Sequence, residues 1–314
     1  MAQLSVHPFE KKRAILSNLF KRWAENPIIL KELRGAMRGR RAFIFLTIYL
    51  VVMSLSFAAL YNILKIQETT SSWNPDFNQT AGKIIFGSIV GFEFLMIGFI
   101  GPALTAGAIT SERERETFDI LRTTLLSART LVFGKLGSAC TYLFLLIFTA
   151  LPIKTLAFLI GGIGLEEIFV SSLMLVVNTV CVCALGLLCS SLAKRTLTAT
   201  VTSYTIILLT TLAIGLIAYQ FTQQFIPHAP QSLDEANIGT ILLVLISATN
   251  PFLAGLISEA LLITTHFAFF GQVQTGFNLY VFMFSPWIPH LAIYTALAIS
   301  MILLSIFFVQ RPDR

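Results

Sequence analysis

Six stretches of this chain stay apolar for long enough to cross a lipid bilayer: about Ala42–Leu64, Ile84–Ile109, Leu136–Ile160, Ile168–Ala193, Thr196–Tyr219 and Trp287–Val309. A helix needs about 20 predominantly apolar residues to span the hydrocarbon core. Once there, it must satisfy its own backbone hydrogen bonds, because no water is at hand to do so. This feature dictates an all-α polytopic membrane protein before any other is weighed. The 314 residues alone suggest two soluble domains at roughly 150 residues each. The apolar runs override that expectation.

Composition agrees. Charged residues make up 12% of the chain and hydrophobic ones 55%, against a usual charged share of roughly 25%. The mean hydropathy is +0.79. A soluble enzyme, a disordered chain and a disulfide-built scaffold are excluded together. Cys140, Cys181, Cys183 and Cys189 all fall inside the apolar runs, where a thiol acts as a small hydrophobe. Their spacing supports neither a disulfide framework nor a zinc site. The net charge of +6 is concentrated at the N-terminus: the first 41 residues hold ten Lys/Arg and three Glu. Immediately before a span, such a segment reads as a topology signal and a contact for anionic lipid headgroups rather than for nucleic acid. No cleavable signal peptide is expected, since the first long run begins near Ala42 and is too long for one.

Residues 1–41 form a cytoplasmic basic amphipathic segment. Within it Asn26-Pro27 supplies an N-cap and a first-turn proline. Ile29, Leu33 and Met37 then repeat at i, i+4 and i+8, while Lys31, Arg34, Arg38, Arg40 and Arg41 give a cationic face. The pattern predicts a helix lying at the membrane surface. Residues 42–314 form a single membrane domain. It includes a further apolar stretch, Gly239–Phe270, broken by Asn250-Pro251 into halves too unequal and too short for one straight span. With the N-terminus inside, 19 of the 22 Lys/Arg lie in cytoplasmic segments, leaving Lys65, Lys83 and Lys154 toward the other face. That bias favours six spans plus a re-entrant hairpin and a cytoplasmic C-terminus. A seven-span arrangement is the alternative.

The segment between spans two and three reads Thr110-Ser-Glu-Arg-Glu-Arg-Glu-Thr-Phe-Asp-Ile-Leu-Arg-Thr-Thr-Leu-Leu-Ser127. Ser111 and Glu114 match a capping box. Phe118, Leu121 and Leu125 line one face of the helix this predicts, and Glu112–Arg115, Arg115–Asp119 and Asp119–Arg122 fall at pairing distances along it. A charged helix with a narrow apolar stripe is suited to a groove on a cytoplasmic partner.

Pro102-Ala-Leu-Thr-Ala-Gly-Ala-Ile-Thr-Ser-Glu-Arg-Glu-Arg115, Thr117-Phe-Asp-Ile-Leu121 and Gly134-Lys135-Leu136 resemble permease subunits of ATP-binding-cassette (ABC) exporters of the multidrug and polysaccharide type. The opening Asn26-Pro27-Ile-Ile-Leu-Lys-Glu-Leu-Arg34 is similar to the start of those chains. Two departures are visible: relatives often carry Gly where this chain has Glu116, and Thr-Pro-Leu-Ser where it has Thr124-Leu-Leu-Ser127. The resemblance implies a transmembrane permease that couples ATP hydrolysis by a separate ABC ATPase subunit to export, as a homodimer or a heterodimer with a related permease. It implies that ATP and magnesium bind the ATPase and that this chain holds no cofactor. The residues agree, since the pair Gly134-Lys135 has Arg129 where a phosphate loop needs glycine. By the same resemblance Glu112, Arg113, Glu114, Arg115 and Asp119 make polar contacts with the ATPase, Phe118 and Leu121 pack against it, and the helix of Asn26, Pro27, Ile29, Leu33, Arg34 and Met37 lies beside them.

Charges inside spans are suspects for function. Glu93, midway in span two, is a candidate for the translocation path, or else a glutamate hydrogen-bonded to a neighbouring helix. Lys154, after Pro152, is expected to snorkel to the outer surface. Span five is rich in hydroxyls, among them Thr202 and Thr205, which serve either packing or a translocation path. Gly87 and Gly91 form a GxxxG that permits close helix contact. The aromatic residues between Phe267 and Trp287 suit anchoring at the headgroups. Glu259 and His266 share a helix face but do not make a metal site. An intramembrane enzyme would need a clustered nucleophile, acid/base pair or ligand set, and none is evident. The remaining alternative is a non-transporting scaffold or sensor on a permease fold.

Overall fold

The computed structural model describes residues 40–70, 77–117, 127–225, 233–265, 269–274 and 280–310. Apolar runs of spanning length become long helices: α1 (Arg40–Thr70), α2 (Phe77–Thr105), α4 (Ala128–Ile160), α5 (Leu165–Leu192), α6 (Thr196–Phe225) and α9 (Trp287–Gln310). Between α2 and α4 lies a short helix, α3 (Thr110–Glu114). Between α6 and α9 come α7 (Leu233–Ala248), α8 (Pro251–Thr265) and two antiparallel strands, β1 (Phe270–Gln274) and β2 (Tyr280–Phe284). Six of the described helices are long and apolar enough to cross a membrane, and the architecture is helical as the sequence predicts. The strand pair, in register from Phe270↔Phe284 to Gln274↔Tyr280, is an addition in the segment read as an aromatic anchor.

Helices outrun the hydropathy boundaries. The apolar run before Ile160 starts near Leu136, yet α4 begins at Ala128. Its start is decided by a cap: the Ser127 hydroxyl accepts from the Thr130 amide at 3.2 Å, satisfying one of the first-turn donors a helix leaves open. The first two turns of α4, with Arg129 and Lys135, therefore extend beyond its apolar stretch.

The core is built around α5, which packs against α2, α4, α6, α8 and α9. Half of its most apolar stretch (50%) is enclosed by protein, against 11% for α1 and for α6. Leu143 and Ala150 of α4, Met174, Leu175 and Leu187 of α5, and Ile85 and Ile89 of α2 are fully enclosed. α2 and α5 cross at Gly186, where a β-carbon would stand 2.1 Å from Thr105 Oγ1. A second tight spot is Gly82, where one would stand 2.0 Å from the Gly161 carbonyl oxygen. Close approach through small residues is how helices associate where lipid removes the hydrophobic drive. Gly91 of the GxxxG does no such work: a β-carbon there would meet nothing within 4 Å, and with Gly87 it lines a cavity of about 110 Å³ between α2, α5 and α8.

The turn between α7 and α8 packs at mid-height of the bundle. The Asn250 amide donates to the Thr211 carbonyl, midway along α6, at 3.0 Å, and Phe252 meets Phe94 of α2. Helix ends away from water leave carbonyls and amides without partners. Here α9 and the turn itself supply them. His290 Nδ1 bonds the Ala248 carbonyl at 2.9 Å, Tyr294 donates to the Thr249 carbonyl at 3.1 Å, and Asn250 Oδ1 accepts from the Phe252 amide at 3.0 Å.

Candidate functional site

The polar residues between spans two and three gather the ends of four helices. Pro102 lies inside α2, which stops at Thr105. Four residues of turn follow before α3. The turn leaves the amides of Ile109 and Thr110 without helical partners although both residues are fully buried, and buried donors are almost always bonded. Ser190, near the end of α5, accepts both, at 2.9 and 3.1 Å.

The charged residues that follow each reach a different helix. Glu112 accepts from Thr117 Oγ1 at 2.6 Å and pairs with Lys135 of α4 at 3.4 Å. The Arg113 guanidinium donates to the Ala193 carbonyl, just past the end of α5, at 2.9 Å. Glu114 takes hold of the first residue of α6: its two oxygens accept from the Thr196 amide at 2.7 Å and from Thr196 Oγ1 at 2.8 Å. The capping box expected of Ser111 and Glu114 is not formed. The backbone runs into α3 from a helical turn, and the Ser111 amide bonds the Gly107 carbonyl. Glu114 instead caps a different helix. The expected Glu112–Arg115 pairing likewise gives way to Glu112–Lys135, since α3 ends at Glu114.

α3 closes on a left-handed residue. Glu116 has φ +58°, with its amide bonded to the Arg113 carbonyl at 3.0 Å and the Thr117 amide to the Glu112 carbonyl at 3.0 Å. This is the paired-bond helix ending that normally employs glycine. The position where relatives often carry glycine is thus one whose backbone favours it. Arg115 and Glu116 are exposed. Phe118, Asp119 and Leu121 lie outside the described residues, as do Asn26, Pro27, Ile29, Leu33, Arg34 and Met37.

Glu93 is buried, 1% exposed, and so is Lys154, at 0%. The expectation that Lys154 snorkels to the outer surface is corrected: its ammonium lies 2.5 Å from Glu93 Oε2. Neither carboxylate oxygen nor the ammonium bonds any other described group. Two charges withdrawn from water in a bilayer are held at least cost when paired with one another. A signal for this existed. Glu93 lies about nine residues into its run and Lys154 about six from the end of the next. In antiparallel helices rising about 1.5 Å per residue, the two reach similar depths. Thr202 and Thr205 are exposed on α6 and are not brought to Glu93. Other hydroxyls of α6 bond their own helix, Thr200 to the Thr196 carbonyl and Ser203 to that of Ala199.

No curated protein matches the chain. The family model for the ABC-2 family transporter protein matches residues 26–310, a range that takes in every described helix to the last residue of α9. Members of that family are membrane components that work with an ABC ATPase and are not normally enzymes themselves. Six apolar helices, a charged joint at one end of the bundle and a family match over nearly the whole chain lead to one assignment: this integral, multi-pass membrane protein belongs to the ABC-2 family of transporter proteins, as an ABC transporter permease.

Proposed function

We propose that this permease couples ATP hydrolysis by a separate nucleotide-binding subunit to export of a substrate. It does so as one half of a pair made with a second copy or a related permease. ATP and magnesium belong to the ATPase; this chain holds no cofactor. Both termini are cytoplasmic, the membrane is the bacterial cytoplasmic (inner) membrane, and the basic segment 1–41 meets its lipid surface. The ATPase seats against the coupling helix that follows α2, where Arg115, Asp119, Phe118 and Leu121 meet it and the helix beginning at Asn26-Pro27 lies alongside. Glu112, Arg113 and Glu114 hold this helix to the bundle. Glu93, Thr202 and Thr205 stand as candidates for the translocation path.

The observation that carries this reading is the polar joint at Glu112–Glu114, which binds the segment leaving α2 to α4, to the end of α5 and to the start of α6. A segment tied to three spans at once is a place where force applied from outside reaches the bundle. The test is affinity purification of the tagged chain from gently solubilised membranes. The wild type should bring down an ABC ATPase and Phe118→Asp should not, at equal abundance. Recovery with both would move the docking site toward Asn26–Met37. Recovery with neither, where known complexes survive, would overturn the transporter reading in favour of a scaffold.

A further inference from the structure

α6 is, with α1, the span least enclosed by the bundle, with 11% of its most apolar stretch buried. Its first residue is nevertheless held from outside its own helix. Glu114 presents both carboxylate oxygens to Thr196, one to the amide and one to the hydroxyl, at 2.7 and 2.8 Å. Beside it Arg113 grips the Ala193 carbonyl at 2.9 Å. The connection from α5 to α6 runs only through Ala193, Lys194 and Arg195, so the two side chains seize it at both ends. On the far side of α3, Ser190 accepts the amides of Ile109 and Thr110. The strand of chain leaving α2 and the turn entering α6 therefore form one body, while farther along α6 Tyr204 donates to the Phe99 carbonyl of α2 at 2.6 Å and the Thr211 carbonyl accepts from Asn250.

We infer that Glu114 is a positioning residue through which movement of the coupling segment reaches α6. The inference rests on the proposed ATPase coupling and goes beyond it by naming the span that responds and the side chain that links the two. Chemistry favours the arrangement. A carboxylate at a helix N-terminus accepts the open amides there and complements the positive end of the helix dipole. Two bonds to one residue fix direction as well as distance, so the carboxylate can turn α6 as well as draw it. Glutamine can keep both contacts, its oxygen accepting from the amide and its NH₂ donating to the hydroxyl, whereas methionine keeps the length and loses both.

The test uses the full chain, with the ATPase that co-purifies with it, in lipid nanodiscs. The four native cysteines are buried, so Val201→Cys, on the exposed side of α6, takes an environment-sensitive fluorophore selectively. In this parent, ATP with vanadate should shift the emission relative to the nucleotide-free complex. In complexes matched for bound ATPase, Glu114→Met should lose most of that shift and Glu114→Gln should keep most of it, a split that a merely structural role would not produce. Thr196→Val, which removes only the hydroxyl bond, should lose part of the shift and covers the case in which Glu114→Met does not accumulate. Glu116→Gln should keep all of it. An undiminished shift in Glu114→Met, or in Thr196→Val where that variant stands in for it, overturns the inference. So does a parent complex that hydrolyses ATP with no shift. Failure to recover any ATPase with the parent overturns instead the coupling reading beneath, and the inference with it.

Discussion

At the scale of single residues, Lys154 behaves against its surface expectation. It is enclosed together with Glu93, and neither has another hydrogen-bonding partner among the described residues. Removing one member of such a pair leaves an uncompensated charge and costs about 3–5 kcal/mol, whereas replacing both by neutral groups of similar volume is often neutral or better. Glu93→Gln and Lys154→Met should therefore each lower the thermal unfolding midpoint in detergent, and the double variant should recover most of the loss. Additive losses would show that the two charges act separately. Glu116 offers the opposite case. Its left-handed backbone suits glycine, so Glu116→Gly should relieve a cost of roughly 1–2 kcal/mol, offset by about 0.4–1 kcal/mol of added unfolded-chain entropy, and so stabilise the helix ending slightly. Slower amide exchange at Thr117 in that variant is the measurement; faster exchange would refute it.

Among elements, the crossing of α2 and α5 is a tight contact that a single atom can test. A β-carbon at Gly186 would stand 2.1 Å from Thr105 Oγ1 and 3.3 Å from Pro102 Cα. Thr105 cannot easily yield, because its hydroxyl donates to the Gly101 carbonyl at 2.9 Å. Gly186→Leu should separate the helices and cost roughly 1–3 kcal/mol through overpacking, seen as lower abundance and a lower unfolding midpoint. Gly91→Ala should be silent, as nothing lies within 4 Å of the added carbon. Equal effects of the two would contradict this crossing. Gly91 carries the familiar spacing with Gly87, yet it meets no neighbour, while Gly186 does. Spacing marks where two helices can approach, and only the partner's position decides whether they do.

For the whole molecule, burial divides the spans into a packed centre of α2, α4 and α5 and a periphery of α1 and α6. A permease that pairs to enclose a path needs helices free to meet a second copy, and α6 carries Thr202 and Thr205 on its exposed side. Thr202→Cys in native membranes should form a dimer on mild oxidation if the pair meets at α6. A Cys at Phe148, exposed on α4, should not. Cross-linking at Phe148 alone would place the pairing face elsewhere.

The helical membrane architecture, the order of spans and the family were legible from the residues, because a bilayer leaves a long apolar run only one way to satisfy its backbone. The charged segment after α2 stood out for the same reason: charge clustered between two spans needs a function or a solvent-facing place. What each charge touches was another matter. Glu114 caps a helix more than eighty residues away in the chain, Glu112 reaches Lys135, and Lys154 turns inward to Glu93, each choice made by which ends the folded bundle brings within 4 Å. The strand pair was missed because hydropathy does not separate a short apolar strand from an anchor. Local pattern determined which segments are helices and how deep they lie; the packing of those helices alone decided which polar groups meet, since electrostatic partners are selected by distance in space rather than along the chain.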